Sequence, residues 1–299
     1  MITQRIGASI LLGFLAMGAL AQDTAVFKNP GSDLYQAIAD AIVARSGRAG
    51  LGSPQGPIDA DPDAEKSSRL LEDIKSLDVN RLYTIGSGAT ALAVQEGGFD
   101  GIYVYIPNPY AKGLAYKGGW SGIAPYPEPA AVLAYPRGTL EMNRVVLVYT
   151  RRANHEVAKV FQGAARDANM GIELIGVKGA EDLPKELGPE IPGADGVLVL
   201  LDPLAFSSAG MRYIVTTCME GKKPVVTFKD ELAASGATLS IYPTPEAVAQ
   251  SAVTAMKALS EEGEDKKLLY PQAFAVSVND AALQTLGLKV GEKFVAKHY

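Results

Sequence analysis

Short apolar runs alternate with amphipathic stretches along nearly the whole chain. Arg144-Val-Val-Leu-Val-Tyr149 and Gly196-Val-Leu-Val-Leu-Leu201 are continuous apolar runs, the kind expected of parallel strands covered on both faces. Ala25-Val-Phe27, Arg81 to Ile85, Gly101 to Ile106, Ile172 to Val177, Pro224 to Phe228 and Phe274 to Val278 read as further strands. Between them lie helical patterns. Asp33 to Arg45 places Leu34, Ile38 and Ile42 on one side. Ala64 to Leu77, Ala89 to Gln95, Asn154 to Asn169, Glu181 to Leu187, Ala209 to Glu220 and Thr244 to Glu261 follow. Asp280 to Leu286 is a last short helix, capped by Asn279 or Asp280 and stopped by Gly287. Ser46 to Asp63, rich in Gly, Pro and Asp, reads as a loop.

Strands that alternate with helices imply βαβ crossovers and mainly parallel sheets. About eight to ten strands over this length are too many for one comfortable sheet, so two doubly wound α/β domains are expected. The pattern places the break near Tyr135-Pro-Arg-Gly138, just before the Arg144 strand.

The 299 residues are 47% hydrophobic and 20% charged, an ordinary globular composition. Net charge is −5 and no basic block exceeds a pair such as Arg151-Arg152. Nucleic-acid binding needs a clustered positive field, so it is not expected. Residues 1–21 read as a secretory signal. Arg5 is the n-region, an apolar stretch begins at Ile10, and Ala19-Leu-Ala21 is a small-x-small cleavage site before Gln22. The alternative is a membrane anchor, but the stretch is Gly-interrupted and shorter than the roughly 20 residues that span a bilayer. No cysteine follows the site to take a lipid, so a free periplasmic protein is expected, not inserted in a membrane. Cys218 is the only cysteine, which rules out an internal disulfide, and it is expected as a buried, inert thiol.

In open parallel sheets ligands bind where strand ends lead into helices. Those loops contain Asn29 and Ser32, then Gly86-Ser87-Gly88-Ala89-Thr90, then Pro107-Asn108-Pro109-Tyr110. In the second half they contain Thr150, Asp202-Pro-Leu204 and Lys229-Asp-Glu231. The Gly86–Thr90 segment suits close backbone approach and a carboxylate held by helix N–H groups plus the Ser87 hydroxyl. The other reading is a tight turn with Ser87 as N-cap. It is neither a phosphate-binding Walker loop nor a dinucleotide fingerprint. Asp202 suits a ligand ammonium or, alternatively, an acidic N-cap.

Enzyme signatures are missing. His155 and His298 are the only histidines; the first reads as a solvated surface residue and the second lies at the chain end. Zinc sites of the usual kinds and a nucleophile elbow are not expected, nor is any cofactor. Tyr105, Tyr110, Trp120 and Tyr126 fall near strand ends or loops, where aromatics wall apolar pockets.

Three stretches resemble a known family: Tyr83-Thr-Ile-Gly-Ser-Gly-Ala-Thr-Ala-Leu92; Gly196 to Leu204 with Pro224-Val-Val and Glu231 to Thr238; and Val278 to Leu288. In order and spacing the chain resembles ABC-transporter substrate-binding proteins that include tryptophan- and tyrosine-type binders, with a type I periplasmic-binding-protein-like fold. The chain departs from them at Gly86-Ser87-Gly88 and Pro107-Asn108-Pro109. The resemblance implies two doubly wound parallel-sheet lobes joined by hinge crossings near Met142, Thr238 and Phe274. The lobes would be 22–141 plus 238–273, and 142–237 plus 274–299. It also implies a monomer that delivers a small, amino-acid-like molecule to a membrane permease. Ser87 and Ala89 match the first-lobe ligand loop and Asp202 the second-lobe acid. With Asn29, Ser32, Gly88, Asn108 and Thr150, these form the expected ligand-binding set. A ligand-sensing module for a receptor or an outer-membrane uptake partner, and less favourably a hydrolase or isomerase on the same scaffold, are the alternatives.

Overall fold

The structure, a computed structural model, describes residues 23–262, 268–291 and 295–299. The signal sequence expected at 1–21 and its cleavage site before Gln22 lie outside the described residues.

The first lobe opens with β1 (Thr24–Lys28), α1 (Asp33–Arg48), β2 (Gln55–Asp59), α2 (Ala64–Ser76), β3 (Arg81–Ile85), α3 (Ser87–Glu96), β4 (Asp100–Val104) and β5 (Trp120–Ile123). The second lobe carries α4 (Pro129–Leu140), β6 (Arg144–Thr150), α5 (Arg151–Asp167), β7 (Gly171–Val177), α6 (Leu183–Glu186) and β8 (Gly196–Val199). It continues through α7 (Ser208–Glu220), β9 (Val225–Thr227), α8 (Asp230–Ala234) and β10 (Leu239–Pro243). The chain then returns to the first lobe as α9 (Pro245–Glu262) and β11 (Leu268–Leu269). It ends in the second as β12 (Phe274–Val278), α10 (Asp280–Leu286) and β13 (Val295–His298).

The first sheet runs β11-β5-β4-β3-β1-β2, all parallel; the second runs β13-β12-β10-β9-β8-β6-β7, with only β10 and β12 antiparallel. Each lobe therefore contains the doubly wound 2-1-3-4-5 order, which puts the ligand crevice at the carboxyl ends of the strands. The two doubly wound lobes expected from the apolar rhythm are present. Their cores form for the anticipated reason. β6 is buried along Val145–Tyr149, and α5 lays Val157, Ala158, Phe161 and Ala165 against the sheet.

The crossings differ from those expected. α4 packs on α5, with Val132, Leu133 and Leu140 in the second-lobe core, so the chain crosses between Ala124 and Glu128 rather than near Met142. The expected break at Tyr135–Gly138 lies inside this helix, which contains Pro136. β10 pairs with β9 and β12, so 239–243 belongs to the second lobe, and the return falls at Thr244 rather than Thr238. α9 then packs on α1 through Val248, Ala252 and Met256 against Ile38 and Ile42. β11 pairs with β5, and the third crossing, 270–273, meets Phe274 as expected.

The Ser46–Asp63 stretch, expected as a loop, contains β2. This edge strand, Gln-Gly-Pro-Ile-Asp, includes a proline that only an edge accommodates. His298 is ordered in β13 and bonds the Asp280 carboxylate from Nδ1 at 2.9 Å. Cys218 is buried, and burial pushes its thiol up to about 12. Among the described residues no helix is long and apolar enough to cross a membrane.

Candidate functional site

The carboxyl ends of the two sheets come together where Asn108, after β4, bonds the Ala153 carbonyl at the start of α5, and the first-lobe side is built around Asn29. Its side-chain Oδ1 accepts the backbone N–H of Ala89 at 2.6 Å, and its own N–H donates to the Ile85 carbonyl at 2.9 Å. Asn29 thereby caps α3 from a neighbouring strand. The N-cap position itself is Gly86, at φ 89°. A side chain at Gly86 would place Cβ 2.9 Å from Asn29 Cγ and Tyr35 Cε2, so the glycine makes room for this cap.

Ser87 is the half-buried first residue of α3, so it does not cap its own helix. Ala89 is buried, and its N–H, expected to meet a carboxylate, is committed to Asn29. The N–H groups of Ser87 and Gly88, in the first turn, have no intrahelical acceptor and remain the helix's anion-facing donors. Ser32 is the N-cap of α1, its hydroxyl accepting the Tyr35 N–H at 3.3 Å. Among the expected set, Asn29, Gly88 and Ala89 are brought together, and Ser87 joins them through α3.

Tyr105, just past β4, is buried at φ 62°, a left-handed backbone rare for a bulky residue. Its ring meets Tyr35 edge-on with centroids 5.9 Å apart. Burial pushes its phenol up, with Tyr35 and then the Glu231 carboxylate of the second lobe adding to the shift. Tyr105 thus packs with Tyr35 in the first-lobe core at the carboxyl end of β4. Tyr126 and Trp120 do not line the cleft. Tyr126 is wholly inside the second-lobe core against Phe161 and Phe228. Trp120 opens β5, at the opposite end of the sheet, and is buried.

On the second-lobe side Asp202 is 4% exposed. One carboxylate oxygen accepts the Thr150 N–H at 2.5 Å and the other the Leu204 N–H at 2.8 Å. This ties the end of β6 to the loop after β8, and brings Thr150 and Asp202 together as expected. The carboxylate is anchored to its own lobe, but not as the helix N-cap that was the alternative reading: Ser207 caps α7, its hydroxyl accepting the Gly210 N–H at 3.2 Å. Tyr149 bonds His155 at 2.8 Å, and His155 is exposed, as expected of a surface residue.

Asn108 links the lobes. Its amide donates to the carbonyl of Ala153 in α5 and its Oδ1 accepts the Ala111 N–H at 3.0 Å. Tyr126, on the first crossing, is held to the second lobe through its hydroxyl, which donates to the Leu201 carbonyl at 3.4 Å. At the rim, Phe206 is 54% exposed with the Lys229 ammonium 5.5 Å from its ring centre, beside Glu231. Lys28, 3% exposed at the end of β1, pairs with Asp59 of β2.

Sequence reasoning missed Tyr35, half-buried on α1, and Asn154, which it placed at the start of α5 without a role. Among the described residues no cluster of His, Cys, Asp and Glu suits a metal ion.

No protein-family model matches the chain, and no curated protein matches it. Solved structures do. One is the ligand-free, open form of a substrate-binding protein with adhesive properties from Clostridium difficile, 15% identical at a TM-score of 0.69, over 92% of this chain and 98% of that one. Another is an ABC domain in complex with L-Trp from Streptococcus pneumonia, 13% identical at 0.58, over 92% of this chain and all of that one. A conserved domain protein from Vibrio cholerae is 11% identical at 0.58, over 94% of this chain and all of that one. At these identities the likeness is one of fold, the type I periplasmic-binding arrangement of two α/β lobes.

Proposed function

We propose that the protein is the exported solute-binding component of an ABC-type importer. It takes a small molecule bearing both an amine and a carboxylate into the inter-lobe cleft and delivers it to a membrane permease. It acts in the periplasm, as a monomer, without cofactor or catalysis. One observation carries the reading. Two 2-1-3-4-5 lobes join by three crossings, and the bond from Asn108, after β4, to the Ala153 carbonyl at the start of α5 brings their carboxyl ends together. The first turn of α3 offers N–H donors on one side, and the buried Asp202 carboxylate lies on the other. A molecule that touches both lobes favours their closed arrangement. The clostridial substrate-binding protein and the streptococcal domain with L-Trp, similar in fold, support the same use of the scaffold.

The test uses the twenty common L-amino acids, each added separately to purified protein. A molecule that binds only the folded state stabilises it by about 2.7 kcal/mol at a hundred times its dissociation constant. For a chain of this size that is a rise of roughly 5–11 °C in melting temperature. The expected result is such a rise with one or a few amino acids, with a smaller radius of gyration in solution scattering. A melt unmoved by the whole set contradicts the proposed ligand class.

A further inference from the structure

We infer that Asn154 reads a positively charged hydrogen-bond donor, a primary ammonium, on the bound molecule. The inference rests on the solute-binding reading above and adds to it a residue and a chemical group.

Asn154 is 1% exposed and lies where α5 departs from helical geometry, at φ −134° and ψ 19°. Its Nδ2 donates to the Leu201 carbonyl at 3.1 Å, a carbonyl that also accepts from Tyr126 Oη at 3.4 Å. Turning the amide over would set oxygen against oxygen, so the Leu201 carbonyl fixes which atom is which. The atom left over is Oδ1, sealed from solvent and without a hydrogen-bond partner. Buried polar atoms are nearly always satisfied, and an exception calls for a reason. Thr24 Oγ1 is another such atom, but it opens β1, at the edge of the sheet away from the cleft. Asn154 lies at the seam between the lobes. The carbonyl of Ala153, immediately before it, is the one that Asn108 of the first lobe grips.

Charge decides which donor belongs there. Asp202 follows Leu201 directly, and its carboxylate is buried on backbone N–H groups alone. No described ion pair includes it. Each oxygen keeps a second lone pair, and a buried anion without a counter-charge favours a cation beside it. A hydroxyl or amide would satisfy Asn154 and leave that charge uncompensated. An ammonium, with three N–H bonds, serves Oδ1 and the carboxylate together.

The experiment is calorimetric titration of wild type, Asn154→Leu and Asn154→Asp. The probes are the same L-amino acids other than proline, which has no primary amine, each beside the carboxylic acid that lacks only the amino group. Wild type is expected to prefer the amine at least tenfold. Asn154→Leu, close in size but without an acceptor, is expected to lose at least tenfold in affinity for the amine. Its affinity for the desamino acid stays unchanged; the free variant loses the Nδ2 bond to the Leu201 carbonyl together with the unsatisfied oxygen, so its melt is measured beside the affinities. Asn154→Asp sets an oxygen against the Leu201 carbonyl and is expected to melt lower, but it keeps an acceptor at this place and keeps the preference for the amine. Leucine and wild-type proteins that bind the amine alike overturn the inference, as does an equal loss for amine and desamino acid. If the leucine variant does not fold, a wild type that fails to distinguish the two acids overturns it. A wild type that binds none of the amino acids overturns the ligand class proposed above and the inference with it, a result distinct from the others.

Discussion

Asp202→Ala lowers the stability of the free protein by about 3–5 kcal/mol, because two hydrogen bonds to a charged acceptor disappear and two buried N–H groups lose their partner. The carboxylate joins the Thr150 N–H at the end of β6 to the Leu204 N–H in its own loop, both inside the second lobe. The melting temperature is expected to fall by roughly 10 °C in calorimetry of the ligand-free protein. Asp202→Asn keeps one acceptor and should cost only about 1–2 kcal/mol. Both variants are also expected to weaken amine binding, since the negative charge that follows Leu201 is gone. An alanine variant that melts like wild type while losing affinity would show that the carboxylate serves the ligand and not the loop.

Gly86→Ala is expected to cost about 2–4 kcal/mol, through a strained left-handed backbone and a steric clash together. The new Cβ would sit 2.9 Å from Asn29 Cγ and Nδ2 and 2.9 Å from Tyr35 Cε2. Asn29 must then move, and the Ala89 N–H loses its acceptor. Gly97 provides the comparison. It has φ 71°, but a Cβ there meets nothing within 4 Å, so Gly97→Ala should cost only about 1–2 kcal/mol. Melts of the two variants separate backbone strain from the clash. Equal losses would mean that Asn29 is not held as described. Affinity is expected to fall in Gly86→Ala and not in Gly97→Ala, because only the first displaces the first turn of α3.

The α/β rhythm was legible because the central parallel strands are buried on both faces and therefore read as unbroken apolar runs. The edges were not. β2 has the composition of a loop, and β5 is only four residues with a glycine inside. β10 carries Ser240, whose hydroxyl is satisfied at 2.5 Å by Thr227 of β9, a pairing no local pattern announces. With β10 and α4 unread, the crossings were misplaced.

The site was legible to the extent that it follows from strand ends. Asn29, Asn108 and Asp202 lie in the expected loops, Gly88 in the first turn of α3 and Thr150 at the end of β6, all at the carboxyl ends of strands. What those side chains do depends on partners distant in sequence. Asn29 serves an amide sixty residues away, and Asp202 one fifty-two residues away. Asn154 was hidden by its place in an amphipathic helix, where an asparagine reads as surface. Only the carbonyl of Leu201, brought in by the sheet, shows which of its amide atoms is left over.

Mass spectrometry of the small molecules released by denaturing protein purified from its native host tests the central claim most directly. The account predicts one compound, near one equivalent per chain, that bears a primary amine and a carboxylate and raises the melting temperature when added back. A stoichiometric compound lacking an ammonium, or one that leaves the melt unchanged when returned, would contradict it.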